Sequence, residues 1–583
     1  MSRARIGAAA ALVTVPLAGQ VALVLWRADA TMLNGDTSQL LSSGLNLLSG
    51  NGYATDAVHF ANQFAHVPLP APQTIWPPGL AVLLGLLVAA GMPPYAAALA
   101  LSLTGFALVV VLTGAIAVAL RLSACRAALA AGGVAATSLF GVLAVRGFAD
   151  ALFVAATLAS ALLLVRATTS GRATRLIAWA GGFAALAFSV RYAAVAWIVA
   201  GAIGLLAPHG LRDARRALRD VAVFGLLPAA AVLAAFGRNL ALTGTLTGAP
   251  VLGGDEGVVE VARQLYWGVL RLLGAFDNVG EVLVETLALV VALRLGWRLL
   301  ARSRRSALGP TGPNDAERRF RVLALAYAAA TLALLTQQSL TAYSGFVQPR
   351  YLVPLLPFGL LLAVLAVARS DGPSDGAPLR ARAAQSLVAL LAGVAFVAGQ
   401  LTAGAASLAA REGKEQAELA SRLSTARVGD ARVLDLLVRT ASREHPLTGG
   451  DVQFLTGLHG IPTVSLPGFP YADRTWDEAA VRASMARSGS CLLLLYAGRP
   501  ERYERERLPF FADLVSGRSV SWLTRHHTGD GISLYRPSWC PSGPIDTDRP
   551  RGAHAMSNRS AFITFVQAAT KSRTNFSRLS SCA

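Results

Sequence analysis

The chain of 583 residues is 54% hydrophobic and only 15% charged, with a mean hydropathy of +0.50. That balance excludes an ordinary soluble enzyme, because uncharged runs approaching the ~20 residues that cross a bilayer fill most of the first 406 positions. The 52 Lys+Arg against 33 Asp+Glu give a net charge of +19, nearly all arginine, since Lys414 and Lys571 are the two lysines. The arginines fall between apolar runs, where orientation signals and anionic headgroups call for them, so the basic charge indicates a membrane and no nucleic-acid partner. Cys125, Cys491, Cys540 and Cys582 have no metal-ligand spacing and are expected to form no disulfide framework.

Arg3 and Arg5 precede the apolar run 6–26, which lacks a small-residue cleavage site and reads as a retained first span with a cytoplasmic N-terminus. No Lys or Arg occurs from Ala28 to Leu120, whereas Asp29, Asp36 and Asp56 do, so this stretch begins on the outer face. Arginine clusters then recur at 121–126, 166–175, 212–219, 294–321 and 369–382. If each is cytoplasmic, neighbouring clusters are separated by two crossings. The runs 127–145 and 149–166, 176–190 and 193–207, 221–237 and 281–300, and 322–340 and 351–368 supply them. The run 77–91, bracketed by Pro77-Pro78 and Pro93-Pro94, is too short to span and reads as an interfacial or re-entrant helix before the span 95–120. A last run, 384–406, takes the C-terminal part outside. The expectation is a polytopic α-helical membrane protein of about eleven spans in residues 1–406, with a first outer loop over 28–94.

Ionisable residues near the membrane collect at expected outer ends: Asp36, Arg146, Asp150, Arg191, Arg238 and Arg350. Charge at that depth needs a partner or a wet cavity, so the set points to a polar cleft opening outward. Snorkelling at helix ends is the plainer account of any one arginine. Within the first outer loop, Leu40, Leu41, Leu45 and Leu48 fit one face of a short amphipathic helix starting at Asp36 and ended by Gly50 and Gly52. Asp36 followed by Gln39 has the spacing of a capping box, a structural role compatible with catalysis.

Several short motifs carry a resemblance. Asp36 lies soon after the first span, the helix ends in Leu47-Leu48-Ser49-Gly50-Asn51-Gly52-Tyr53, and Trp76-Pro77-Pro78-Gly79 follows. Ala149-Asp150-Ala151-Leu152-Phe153, Ser189-Val190-Arg191-Tyr192, Gly237-Arg238-Asn239 with Thr243-Gly244, and Pro349-Arg350-Tyr351-Leu352-Val353-Pro354 come next in order. Over about residues 36–357 the chain resembles the GT-C glycosyltransferases, bacterial relatives of protein O-mannosyltransferases and lipid A aminoarabinose transferases. It departs from them in lacking a paired acidic motif in the first loop and a lysine near the Pro-Pro, and Asp150 replaces the usual Glu. Enzymes of that family move a sugar from a polyprenyl phosphate carrier to an acceptor at the outer face with inversion.

The resemblance implies roles. Inverting transfer needs a carboxylate to take the acceptor hydroxyl proton, and Asp36 is the candidate base. The leaving lipid phosphate calls for planar, permanently charged donors, for which Arg350, Arg191 and Arg238 are the candidates. Asp150 and Asn239 are candidate substrate contacts, as is His59. Tyr53 and Trp76 offer faces for a sugar ring, although interfacial aromatics commonly serve as belt residues. His59 and His66 with Asp56 have no ligand-type spacing, so neither a metal nor another cofactor is expected. The expected partners are a polyprenyl-phosphate-linked sugar donor and a lipid, glycan or protein acceptor, at a bacterial inner membrane.

Beyond about Arg411 the composition turns soluble. A helical stretch, 411–425, precedes short apolar runs and charged helices: 431–441, 451–458, Pro462 to Pro467, a helix over 476–488, and strands at Cys491–Tyr496 and Gly531–Tyr535. The alternation predicts a small extracytoplasmic α/β domain over 411–540, and residues 541–583 read as a disordered tail. Two other classes fit the same composition: a transporter or flippase of a lipid-linked sugar, and a non-catalytic cell-envelope assembly protein.

Overall fold

The computed structural model describes residues 3–28, 33–58, 69–207, 213–246, 248, 257–273, 315–341, 348–370, 437–449, 452–466, 476–496, 508–529 and 532–540. The chain forms two compact units, one of residues 1–32, 74–79 and 99–415, the other of 33–73, 80–98 and 416–583.

The first unit is helical. Its helices include Arg3–Arg27, Ala124–Ala136, Ser138–Val145, Asp150–Arg166, Ala173–Val190, Val195–Leu206, Ala214–Thr243, Val258–Leu273, Asp315–Thr341 and Leu356–Ser370, and most of Pro94–Ala119 belongs to it. Polarity runs outward to inward in reverse of a soluble protein. Val15, Leu226 and Leu233 are 68%, 70% and 72% exposed, whereas Gln20, Thr113, Thr157 and Ser160 are fully buried. Lipid accepts apolar side chains, and the interior must satisfy whatever polar groups it holds. Accordingly the Ser160 hydroxyl donates to the Ala180 carbonyl at 2.8 Å and accepts from Trp197 Nε1 at 3.0 Å, while Gln20 Nε2 donates to the Ala136 carbonyl at 3.0 Å. Small residues let the backbones meet: a Cβ on Gly105 would lie 2.6 Å from Leu152 N, and one on Gly181 2.2 Å from the Phe224 carbonyl oxygen. Trp197, Tyr327 and Phe358 pack ring to ring at the centre, with centroids 5.3 to 5.5 Å apart.

Among the described residues, five helices are long and apolar enough to cross a membrane, or six if the pair Ala124–Ala136 and Ser138–Val145 counts as one span. The expected single run 127–145 is therefore broken, bending by 43° at Thr137. Thr137 leaves the helical region at ψ 112°, and its hydroxyl bonds back to the Gly133 carbonyl at 3.0 Å. The apolar helices Pro78–Ala89, Tyr192–Leu206 and Arg350–Ala366 are shorter. The runs 281–300 and 384–406 on which the count of about eleven relied lie outside the described residues, as do 411–425 and the tail.

The second unit is built on a six-stranded sheet, in which the strands β2 (Ala57–Val58), β4 (Leu447–Gly449), β5 (Thr463–Ser465), β6 (Leu492–Tyr496), β7 (Leu523–Gly529) and β8 (Ile532–Pro537) run in the order β2-β5-β4-β6-β8-β7. A separate antiparallel pair joins β1 (Ala54–Thr55) to β3 (Ala71–Pro72). From β2 to β6 the large sheet is parallel, and β8 and β7 are antiparallel. Helices Phe454–His459, Glu478–Ser488 and Pro509–Val515 occupy the connections β4–β5, β5–β6 and β6–β7. The apolar run of β6 is buried through Leu495, as a parallel strand covered on both faces requires. Strand β2 comes from the first outer loop, so this loop folds with the C-terminal module rather than with the helices it was assigned to in sequence. A two-residue strand that borrows its partner from 400 positions away leaves no periodic signal to read.

The expectation of no disulfide is overturned. Cys491, at the start of β6, is bonded to Cys540, just past β8, and Cys125 is free and exposed. Sequence spacing carries no sign of this pairing, because it follows from the β6–β8 alignment.

Two stability measurements check these assignments. Gly105→Leu, which forces a side chain against the Ala151–Leu152 backbone, should destabilise the detergent-solubilised protein by about 1–3 kcal/mol in thermal unfolding. The same change at Gly225, where a Cβ meets nothing within 4 Å, should not destabilise it. Replacing Cys540 with Ser opens a closure of 49 residues and should cost the second unit about 4 kcal/mol, matched by adding reductant to the wild type.

Candidate active site

In the first unit the site begins with a turn. Gly147, at φ +71°, reverses the chain after Ser138–Val145 and delivers Phe148 and then Asp150 as the first residue of Asp150–Arg166. Asp150 is 1% exposed, so its charge needs an answer, and Arg191 supplies it through a hydrogen-bonded ion pair from Nη1 to Oδ1. Arg191 is aimed by its backbone: it closes the helix Ala173–Val190 in an extended conformation, φ −148° and ψ 131°, before a short 3-10 turn at Tyr192–Ala194. The second oxygen of Asp150 is buried and has no hydrogen-bond partner among the described residues.

Arg350 approaches the same place from a different element, the short helix Pro349–Leu352. Its guanidinium carbon lies 4.7 Å from the Phe148 ring centroid and 4.9 Å from that of Tyr351, and Nη2 donates to the Tyr351 hydroxyl at 2.9 Å. Arg191 stands 5.6 Å from the Tyr351 centroid and Arg146 5.6 Å from that of Phe148. Three guanidinium groups and the Asp150 carboxylate thus gather round two aromatic rings. Cation–π contact holds the arginines without consuming the donors along their edges. Such a cluster suits a phosphate.

Of the residues singled out in sequence, Arg191, Arg350 and Asp150 come together. Asp150 pairs with Arg191. Arg238 interacts electrostatically with Tyr192, next in chain to Arg191. Asn239 is 1% exposed, and its amide is committed to the Thr74 carbonyl at 3.1 Å, the Leu246 carbonyl at 3.2 Å and the Tyr192 hydroxyl at 3.5 Å. It pins the segment ahead of Trp76. Trp76 is half-buried. Phe148 and Tyr351 were missed as platforms; their only sequence signal is adjacency to Asp150 and Arg350.

Asp36 belongs to the second unit. The helix that carries it runs Gly35–Leu48, and its N-cap is Asn34, whose side chain accepts from Thr37 N at 3.0 Å. The expected Asp36–Gln39 capping box is therefore replaced: Asn34 does the capping, Asp36 is a partly exposed first-turn residue, and Gln39 is buried and accepts from Gln73 Nε2 at 3.5 Å. The apolar face also differs from expectation. Leu40 and Leu41 are buried, but Leu45 and Leu48 are 37% and 47% exposed, and Ser38, Ser42, Ser43 and Asn46 are buried instead. Those small polar residues face backbone and loop groups that bond to them, and Gly44 meets Ala81 and Gly85 closely enough that a Cβ would lie 2.1 Å from the Ala81 carbonyl oxygen. Tyr53 is half-buried, with its carbonyl accepting from Gln73 N at 3.0 Å. His59 and His66 lie outside the described residues.

No protein-family model and no curated protein sequence matches the chain. Solved structures do. ArnT from Cupriavidus metallidurans in the apo state aligns over 91% of this chain and 98% of its own, with a TM-score of 0.53 at 14% identity. The same protein bound to undecaprenyl phosphate aligns over 90% and 97%, with a TM-score of 0.52 at 13% identity. The Archaeoglobus fulgidus oligosaccharyltransferase in complex with Zn and sulfate aligns over 90% of this chain and 73% of its own, at 0.51 and 12%. The chain shares its fold with these solved structures. At these identities the likeness is one of fold.

The buried ion pair has a measurable signature. Asp150→Asn leaves the Arg191 charge buried without its counter-ion and should lower stability by about 3–5 kcal/mol in thermal unfolding. The double change Asp150→Asn with Arg191→Gln should recover most of that loss, because the two side chains share one interaction.

Proposed function

We propose that the protein is an inverting GT-C glycosyltransferase that moves a sugar from a polyprenyl-phosphate-linked donor to a lipid, glycan or protein acceptor at the outer face of a bacterial inner membrane. One observation carries the reading: Arg191 and Arg350, distant in the chain and chosen in sequence as phosphate ligands, share the Tyr351 ring beside buried Asp150. That one of the solved structures of this fold holds undecaprenyl phosphate supports a carrier of that kind. The Cys491–Cys540 disulfide supports an extracytoplasmic second unit, since disulfides persist in oxidising compartments.

In the reaction, Asp36 accepts the proton of the acceptor hydroxyl as its oxygen attacks the anomeric carbon from the side opposite the phosphate. The bond from that carbon to the phosphate oxygen breaks, and its electron pair stays on the lipid phosphate. Arg191, Arg350 and Arg238 neutralise the charge that grows there, an interaction stronger in the transition state than in the bound donor.

The test is transfer from a purified polyprenyl-phosphate sugar by the protein in proteoliposomes. Asp36→Asn should cut kcat by about 10²–10⁴-fold with the protein inserted and folded. Arg350→Ala should slow transfer as well and weaken donor binding. Full activity of Asp36→Asn would remove the assigned base. Vectorial movement of intact donor without bond cleavage would remove the enzymatic reading altogether.

A further inference from the structure

The helix bearing Asp36 is held at both ends by residues from the far end of the chain. Arg443, just ahead of β4, grips Asp56 with a fork: Nε donates to Oδ1 at 2.7 Å and Nη2 to Oδ2 at 3.0 Å. The same Nη2 donates to Asn46 Oδ1 at 2.7 Å, and Asn46 Nδ2 donates to Asp56 Oδ2 at 2.9 Å. Asn46 is 2% exposed and sits in the last turn of Gly35–Leu48. The backbone joins in: Asp56 N donates to Ser42 Oγ at 2.8 Å, the Asp56 carbonyl accepts from Thr463 N at 2.9 Å, and the next two residues form β2 on β5. At the other end of the helix, the C-terminal module closes on Asp36's neighbours. A Cβ on Gly457 would lie 2.7 Å from Ser38 Oγ, and one on Gly35 2.8 Å from Gln453 Oε1.

Exposed ion pairs contribute little by themselves. This one differs in its fork geometry and in its third partner, a buried amide, and a lysine ammonium, with its donors on a single nitrogen, lacks the planar fork. The contact ties a sheet to the rotation and height of one helix. We propose that Arg443 is a positioning residue for sugar transfer: acting through Asn46 and Asp56, it fixes the helix that presents Asp36, so that the C-terminal module sets the geometry of the base. This rests on the reading of Asp36 as that base.

The experiment uses the full-length protein in proteoliposomes, with Arg443→Ala, Arg443→Lys and Arg443→Ala combined with Asp56→Ala, read by transfer kinetics and by amide hydrogen exchange of Gly35–Leu48. Arg443→Ala should lower kcat about tenfold or more while donor KM stays within about twofold, since a displaced base costs turnover and leaves the phosphate ligands in place. Exchange in Gly35–Leu48 should rise with it. Arg443→Lys should fall between, and the double variant should be no slower than the single, because both remove one network. Should Arg443→Ala fail to fold, Arg443→Lys must still show lowered kcat and raised exchange. Unchanged kcat, or a lowered kcat with exchange in the helix unchanged, would overturn the proposal. The base assignment is judged separately: activity retained by Asp36→Asn removes the base, whereas the exchange measurement reads the grip on the helix alone.

Discussion

A charge beside hydrocarbon survives only where a partner or water answers it, at a cost of several kcal/mol otherwise. Asp150 and Arg191 answer each other, and the rest of the candidate phosphate site is arranged around that pair. Asp150 is fixed by opening a helix directly after a glycine turn, Arg191 by closing another in extended backbone. With one guanidinium so placed, Tyr351 and Phe148 become the surfaces on which Arg350 and Arg146 rest. Aromatic rings suit the task because they hold a cation over the face and leave its hydrogen-bond donors pointing outward.

The second unit solves a different problem. The parallel part of its mixed sheet needs both faces covered, and one edge of the sheet is completed by two residues of the first outer loop. This explains the odd composition of the helix Gly35–Leu48. Besides Leu40 and Leu41 it buries Ser38, Gln39, Ser42, Ser43 and Asn46, several of them against loop groups that bond to them. The disulfide between Cys491 and Cys540 fastens the first central strand to the segment leaving the last one, so the platform that receives the loop is itself tied.

Much of this was legible beforehand. Apolar runs marked most of the described helices, and the charges expected at outer ends, Asp36, Arg146, Asp150, Arg191, Arg238 and Arg350, include the four that gather round Phe148 and Tyr351, because lipid imposes a one-dimensional rule on composition that a sequence displays directly. The strands Leu492–Tyr496 and Ile532–Pro537 and the helix Glu478–Ser488 were visible for a similar reason, as local periodicity. What stayed hidden either joins two distant segments, as the Cys491–Cys540 bond does, or turns on local hydrogen bonds that periodicity does not display, as do the bend at Thr137, the polar strand Leu523–Gly529 and the true cap at Asn34 in place of Asp36.

By itself, then, the order of residues determined that this is a helical membrane protein with arginines and a carboxylate gathered toward one end of its helices, since hydropathy and charge act residue by residue. Only the folded chain decided which of them touch. Asn239 latched the segment ahead of Trp76, Phe148 and Tyr351 became platforms for the arginines, and Arg443 took hold of Asp56, because hydrogen bonds and ring contacts reach a few ångströms and are blind to sequence distance.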